Sequence, residues 1–96
     1  MYADVVVVGA GVTGLTAAHA LERQGISVVV IEATGSVGGQ IRTVPVAGAA
    51  SDVGAEALHV GDPDLRTLLD ELGLSDQLVP AADAPTWVLA DGELHP

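Results

Sequence analysis

From Val5 to Gly14 the chain reads VVVVGAGVTG: four β-branched residues run straight into Gly9, Gly11 and Gly14 at the spacing G-x-G-x-x-G. No other feature restricts the fold as strongly. An unbroken valine run with no polar alternation predicts a strand apolar on both faces, the pattern of parallel sheets covered by helices on each side. The glycines predict a strand-to-helix turn in which main chain presses against an anion. Gly9 allows the tight turn, Gly11 has no Cβ to collide with phosphates, and Gly14 lets the helix pack close to the strand. Ala10 lies in the same loop, and the amides around Val12, Thr13 and Gly14 face the anion at the positive end of the helix dipole.

The surroundings agree with this reading. A helix is predicted from Val12 to Gln24, with Leu15, Ala17, Ala18 and Leu21 spaced for burial and Gly25 as its stop. A second parallel strand is predicted from Ile26 to Ile31, which completes a βαβ unit. Glu32 then follows Gly14 at close to the separation of about 20 residues expected for a ribose-binding carboxylate. A carboxylate there accepts ribose hydroxyls and repels a 2′-phosphate. Arg42 is the first basic residue after it. The expected ligand is therefore FAD or NAD rather than NADP.

Composition removes several other functions. Three basic residues face 13 acidic ones, for a net charge of −10, which argues against binding nucleic-acid phosphates or anionic lipid. Tyr2 and Trp87 are the only aromatic residues, so no stacking surface is encoded. There is no cysteine, which excludes disulfides, thiolate catalysis and cysteine-held metal and fits a cytoplasmic location. No apolar run reaches the ~18 residues of a membrane span. The first strand starts almost at Met1 with no basic leader, so no secretory signal is expected. His19, His59 and His95 are too scattered for a metal site, and no nucleophile elbow is present.

After Glu32 the pattern changes. Ala33 to Arg42 is a glycine-rich loop. Thr43–Ala47 and Ala50–Val53 predict short strands about a turn at Gly48, and Pro45 confines the first to a sheet edge. Asp62 is placed to cap a helix with Pro63 in its first turn, an apolar stripe of Leu65, Leu68, Leu69 and Leu72, and Gly73 at its end. Ser75 to Leu78 reads as one further turn. Thr86–Ala90 and Glu93–His95 flank Asp91-Gly92, a strong hairpin signal. The fold class is α/β, the N-terminal part of a Rossmann-like domain: a βαβ unit, then loop, short hairpin, helix and C-terminal hairpin. Residues 1–60 form the nucleotide-binding part and 61–96 the start of an inserted helical and hairpin region. Two parallel strands are too few for such a sheet. The chain is therefore expected to be an N-terminal segment, with the remaining strands supplied elsewhere.

The pair Gly38-Gly39, a few residues beyond Glu32, lets main chain approach the ligand again, which suits the longer FAD molecule. At this point VVVVGAGVTGLTAAHALERQGISVVVIEATGSVGGQIRT resembles the opening of the flavin amine oxidase superfamily. DVGAEAL from Asp52, LLDELGLSDQLV from Leu68 and DGELHP from Asp91 are similar, within it, to the protoporphyrinogen and coproporphyrinogen oxidases of haem synthesis. The resemblance implies non-covalent FAD, stepwise oxidation of a porphyrinogen to the porphyrin, and dioxygen as acceptor. It places the pyrophosphate at Gly9 to Gly14, the adenosine ribose at Glu32 with Ala33 backbone beside it, further cofactor contacts at Gly39 and Gln40, and the ribityl chain and flavin ring along Gly54, Ala55, Glu56 and Ala57. Many superfamily members carry Arg directly after the glycine pair, where this chain has Gln40 and places its own at Arg42, a departure that counts against an amine oxidase. No catalytic residue is assigned, because hydride transfer to flavin asks more for positioning than for acid–base groups. Other flavin oxidoreductases (amine oxidases, phytoene desaturases) and a non-catalytic nucleotide-binding remnant are the alternatives.

Overall fold

In the computed structural model, which describes Met1–Pro96, the chain forms two compact units, Met1–Leu58 and His59–Pro96. The first opens with strand β1 (Val5–Val8), helix α1 (Val12–Glu22) and strand β2 (Val28–Ile31). β1 and β2 pair in parallel, Val5 opposite Val28 through Val8 opposite Ile31, and α1 packs on both. The βαβ unit expected from the valine run and the glycines is present.

α1 is shorter than its apolar pattern predicts, for a reason visible in its last turn. Gly25 takes a left-handed φ of +79°. Its amide donates to Glu22 O at 2.9 Å and that of Ile26 to Leu21 O at 3.2 Å. This pair of bonds closes a Schellman end. Because Ile26 spends its amide there, and Ser27 donates its own to Asp4 Oδ2 at 3.0 Å, the ladder of β2 starts at Val28 rather than Ile26.

The valine strand is not buried on both faces within this chain. α1 covers one face, where Val5 and Val7 are half-buried, while Val6 and Val8 point away and are 53% and 83% exposed. A single helix can shield only one side of a two-stranded sheet. The helix stripe is likewise narrower than expected. Ala18 is buried, whereas Leu15 and Ala17 are exposed.

Strands β3 (Thr43–Val46) and β4 (Ala49–Asp52) form an antiparallel hairpin. Ala47 and Gly48 both have positive φ, +49° and +84°, so the turn takes two residues with the twist of a primed hairpin turn. That removes Ala47 from the first strand and brings Ala49 into the second.

The second unit contains helix α2 (Pro63–Glu71), a 3-10 turn (Ser75–Gln77) and a hairpin of β5 (Val88–Ala90) and β6 (Glu93–His95). Asp62 caps α2 by accepting from the Asp64 amide at 2.8 Å, and Pro63 opens it. Leu69 is buried and Leu65 and Leu68 half-buried, but Leu72 is 48% exposed. Gly73, at φ +68°, closes this helix with the same pair of bonds as α1: Gly73 to Asp70 O and Leu74 to Leu69 O. Asp91 and Gly92 form the expected turn with φ of +52° and +80°. β5 begins at Val88, not Thr86, because its partner strand ends at His95, which lies opposite Val88. The three sheets have two strands each.

Candidate cofactor site

The start of α1 differs from an ordinary helix start. Its cap is Gly11, no side chain bonds to its first turn, and no acidic residue lies there. The first amide engaged within the helix is that of Leu15, which donates to Gly11 O at 3.0 Å. The amides of Val12, Thr13 and Gly14 precede that bond, at the end where a helix carries unsatisfied donors and partial positive charge. α2 provides the contrast, since Asp62 caps it and Asp64 sits in its first turn. In one chain, one helix start is closed by its own carboxylates and the other carries no side-chain cap and no acidic residue.

The loop before α1 depends on glycine for its backbone conformation and close contacts. Gly9 has φ +100°, a conformation that side chains with a Cβ rarely adopt. At Gly14 a Cβ would overlap the carbonyl oxygen of Gly9 and come within 3.3 Å of Val7 Cγ1, so close packing of helix on strand depends on glycine there. Gly11 has a neighbour that sequence reasoning did not anticipate: Gly39. A Cβ on Gly39 would stand 3.0 Å from Gly11 Cα, so the two glycine loops touch backbone to backbone.

Ala10 sits where these loops meet and is 1% exposed. Its amide donates to Glu32 Oε2 at 2.8 Å, and its carbonyl accepts from Gly38 at 2.8 Å. Gly9 in turn donates to Ile31 O at 2.7 Å. The end of β2 therefore holds the anion loop in place through both main chain and side chain. Glu32 is a hub as well as a candidate ribose ligand. Its Oε1 accepts from the Thr34 amide at 2.9 Å and lies 3.0 Å from Thr34 Oγ1. These donors, Ala10 first and Thr34 next, hold its carboxyl below the ordinary value of 4.5, because they stabilise the charged form. Ala33, exposed beside it, adds a weaker amide contribution.

Gln40, Gly54 and Ala55 are brought together. The hairpin ladder continues past β3 and β4: Val53 donates to Arg42 O at 2.9 Å and Ala55 to Gln40 O at 2.8 Å. A Cβ on Gly54 would overlap the Gln40 carbonyl oxygen. The GAE segment is thus tied to the loop whose Gly39 touches Gly11. Glu56 and Ala57 lie exposed in the irregular stretch that follows.

Sequence reasoning missed Thr34, and it missed the partner of Gly38, the Ala10 carbonyl. A Thr two positions after a carboxylate is a recognisable local hydrogen-bonding pattern, so Thr34 carried a signal. The Gly38 to Ala10 bond did not, because it joins main-chain atoms across a loop.

Elsewhere, a cavity of about 220 Å³ in the second unit is lined by Val60, Arg66, Leu69, Asp70, Ser75 and Leu78. Its polar groups serve the local fold: Arg66 Nε donates to Val60 O at 2.7 Å, and Ser75 Oγ donates to Asp70 Oδ1. No group of three or more His, Asp or Glu side chains is placed to hold a metal ion. No helix is long and apolar enough to cross a membrane.

Residues 12–96 match the family model described as flavin containing amine oxidoreductase. Protoporphyrinogen oxidase 2, chloroplastic/mitochondrial, of Arabidopsis thaliana is 42% identical over 92% of this chain and 18% of its own length. Coproporphyrinogen III oxidase of Mycobacterium tuberculosis is 37% identical over 94% of this chain and 21% of its own. A solved structure of putrescine oxidase bound to putrescine superimposes with a TM-score of 0.70 at 45% identity, over 76% of this chain and 16% of that one. The chain thus spans about a fifth of the length of the curated relatives it matches.

Proposed function

Since this chain belongs to the flavin containing amine oxidoreductase family, we propose that it forms the nucleotide-binding end of an FAD-dependent porphyrinogen oxidase of haem synthesis, acting on coproporphyrinogen III or protoporphyrinogen IX with dioxygen as acceptor. The observation that carries the cofactor half of this reading is the open start of α1 beside a carboxylate already fixed in the loop: Ala10 donates to Glu32 at 2.8 Å, next to a first turn with no cap and no acid. A diphosphate and the sugar attached to it fit those two groups in that order. The porphyrinogen half is supported by the plant and mycobacterial relatives, whose names state that activity.

FAD held here would supply the acceptor for substrate hydride and the route of those electrons to dioxygen. The chain's own residues do the holding. The Val12, Thr13 and Gly14 amides receive the pyrophosphate, with Gly9, Ala10 and Gly11 shaping the loop. Glu32 accepts the adenosine ribose hydroxyls, with Ala33 main chain beside it. Gly39, Gln40, Gly54, Ala55, Glu56 and Ala57 line the way toward the ring. The substrate-binding part of the enzyme is supplied by the rest of the whole protein, in a cytoplasmic setting.

The putrescine oxidase likeness favours a second reading, an amine oxidase. Oxygen uptake and hydrogen peroxide release by the whole protein, measured with protoporphyrinogen IX, coproporphyrinogen III and putrescine in turn, separate the two. Porphyrin fluorescence appearing with either porphyrinogen, and no peroxide from putrescine, is the expected result. Turnover of putrescine alone overturns the porphyrinogen reading.

A further inference from the structure

We propose that Thr34 is a positioning residue for the nucleotide ribose, acting through Glu32; the inference rests on the FAD reading above. A carboxylate offers about four lone-pair directions. Glu32 Oε2 gives one to the Ala10 amide at 2.8 Å. Glu32 Oε1 gives one to the Thr34 amide at 2.9 Å and faces the Thr34 hydroxyl at 3.0 Å. Donors from the anion loop and from the segment after β2 therefore grip both oxygens of an otherwise flexible side chain, and they fix its plane.

The hydroxyl has a second acceptor within reach. Thr34 Oγ1 lies 2.9 Å from Ser36 O as well as 3.0 Å from Glu32 Oε1, and it carries one proton. Pointed at Glu32, that proton holds the carboxylate in place before a nucleotide arrives. Turned to Ser36, it keeps a partner and opens a lone pair on Oε1. With Ala10 on Oε2, each carboxylate oxygen then has one free direction, the number a pair of ribose hydroxyls needs. Thr34 keeps Glu32 oriented without permanently occupying the positions the sugar must take. Its side chain is exposed, so its removal tests this role rather than core packing.

The test uses the whole protein stripped of flavin and titrated with FAD, followed by quenching of flavin fluorescence. Thr34→Val keeps the shape and the amide donor but removes the hydroxyl that orders Glu32 beforehand, and binding is expected to weaken by about 3- to 10-fold, the range for ordering one flexible side chain only when the ligand arrives. Thr34→Ser restores near wild-type affinity. In a Glu32→Ala background, Thr34→Val causes no further loss, a coupling that a merely structural effect on the loop would not produce. Thr34→Val binding as well as wild type, serine failing to rescue, or an equal loss in both backgrounds overturns the inference while the FAD reading stands. Failure of the wild-type protein to bind FAD overturns both.

Discussion

Glu32 carries two jobs on one side chain, and they are separable by experiment. Its Oε2 braces the anion loop through Ala10, while the reading above asks the same carboxylate to hold a ribose. Glu32→Ala removes both and is expected to weaken FAD binding by about 10-fold or more, measured by equilibrium titration of the stripped whole protein. Acid probes the same residue by another route. The bonds from Ala10 and Thr34 place the carboxyl of the folded state below the 4.5 of an unperturbed glutamate. A depressed carboxylate favours the native loop fully above the unfolded value, and that contribution fades as pH falls through the lower, folded one. FAD retention should therefore stay level on acidification to pH 4.5 and decline beneath it. In Glu32→Gln the part of that decline due to this group disappears. Because the site faces solvent, salt weakens the electrostatic share of the effect.

Loops and turns are the scale at which glycine placement decides. Gly54 and Gly35 are both glycines of the first unit, yet they make opposite demands. A Cβ at Gly54 would collide with the Gln40 carbonyl, whereas Gly35 has nothing within 4 Å and no left-handed φ. Gly54→Ala should therefore separate the GAE segment from the Gln40 loop, costing about 1–3 kcal/mol of stability and most of the bound flavin, read as the ratio of absorbance near 450 nm to protein. Gly35→Ala should change stability by less than about 0.5 kcal/mol. Ala47 makes the reverse case, a side chain where glycine or asparagine would serve better. Its φ of +49° is unfavourable for an L-residue with a Cβ. Ala47→Asn creates the Asn-Gly pair preferred in such turns and should stabilise the protein by about 0.5–1 kcal/mol in thermal unfolding, with flavin content unchanged.

These elements also show which parts of the fold and site the sequence made legible. The βαβ unit, both hairpins, the Asp62 cap and the stops at Gly25 and Gly73 each depend on local chemistry within a few residues, and local chemistry is what a sequence displays. Element ends were harder. The start of β2 is decided by Ile26 closing a helix and by Asp4 capturing Ser27, and the latter bond crosses 23 positions. The site shows the same division. The positions of Gly9, Gly14 and Glu32 followed from spacing, but the contact of Gly11 with Gly39 and the role of Ala10 as a junction came from main-chain packing that no residue pattern encodes.

For the whole molecule the question is what this much chain can stabilise. Ala10, Ala18 and Leu69 are its buried apolar residues, and Val6, Val8, Ile31, Trp87 and Leu89 are among the large side chains left exposed. Three separate two-stranded sheets add little, because a lone pair of strands is marginal in water. Burial on this scale falls short of the conformational entropy of 96 ordered residues. Net charge of −10 adds self-repulsion to the same side. Residues 1–96 expressed alone should therefore unfold without a cooperative transition in urea, bind FAD no tighter than the high micromolar range and oxidise no porphyrinogen. Ligand binding stabilises a fold only by as much as it prefers the folded form, so adding FAD should not rescue the transition. A sharp unfolding curve for the isolated segment, or stoichiometric FAD binding below about 1 μM, would show instead that the glycine loop and its Glu32 brace fold and grip a nucleotide without help.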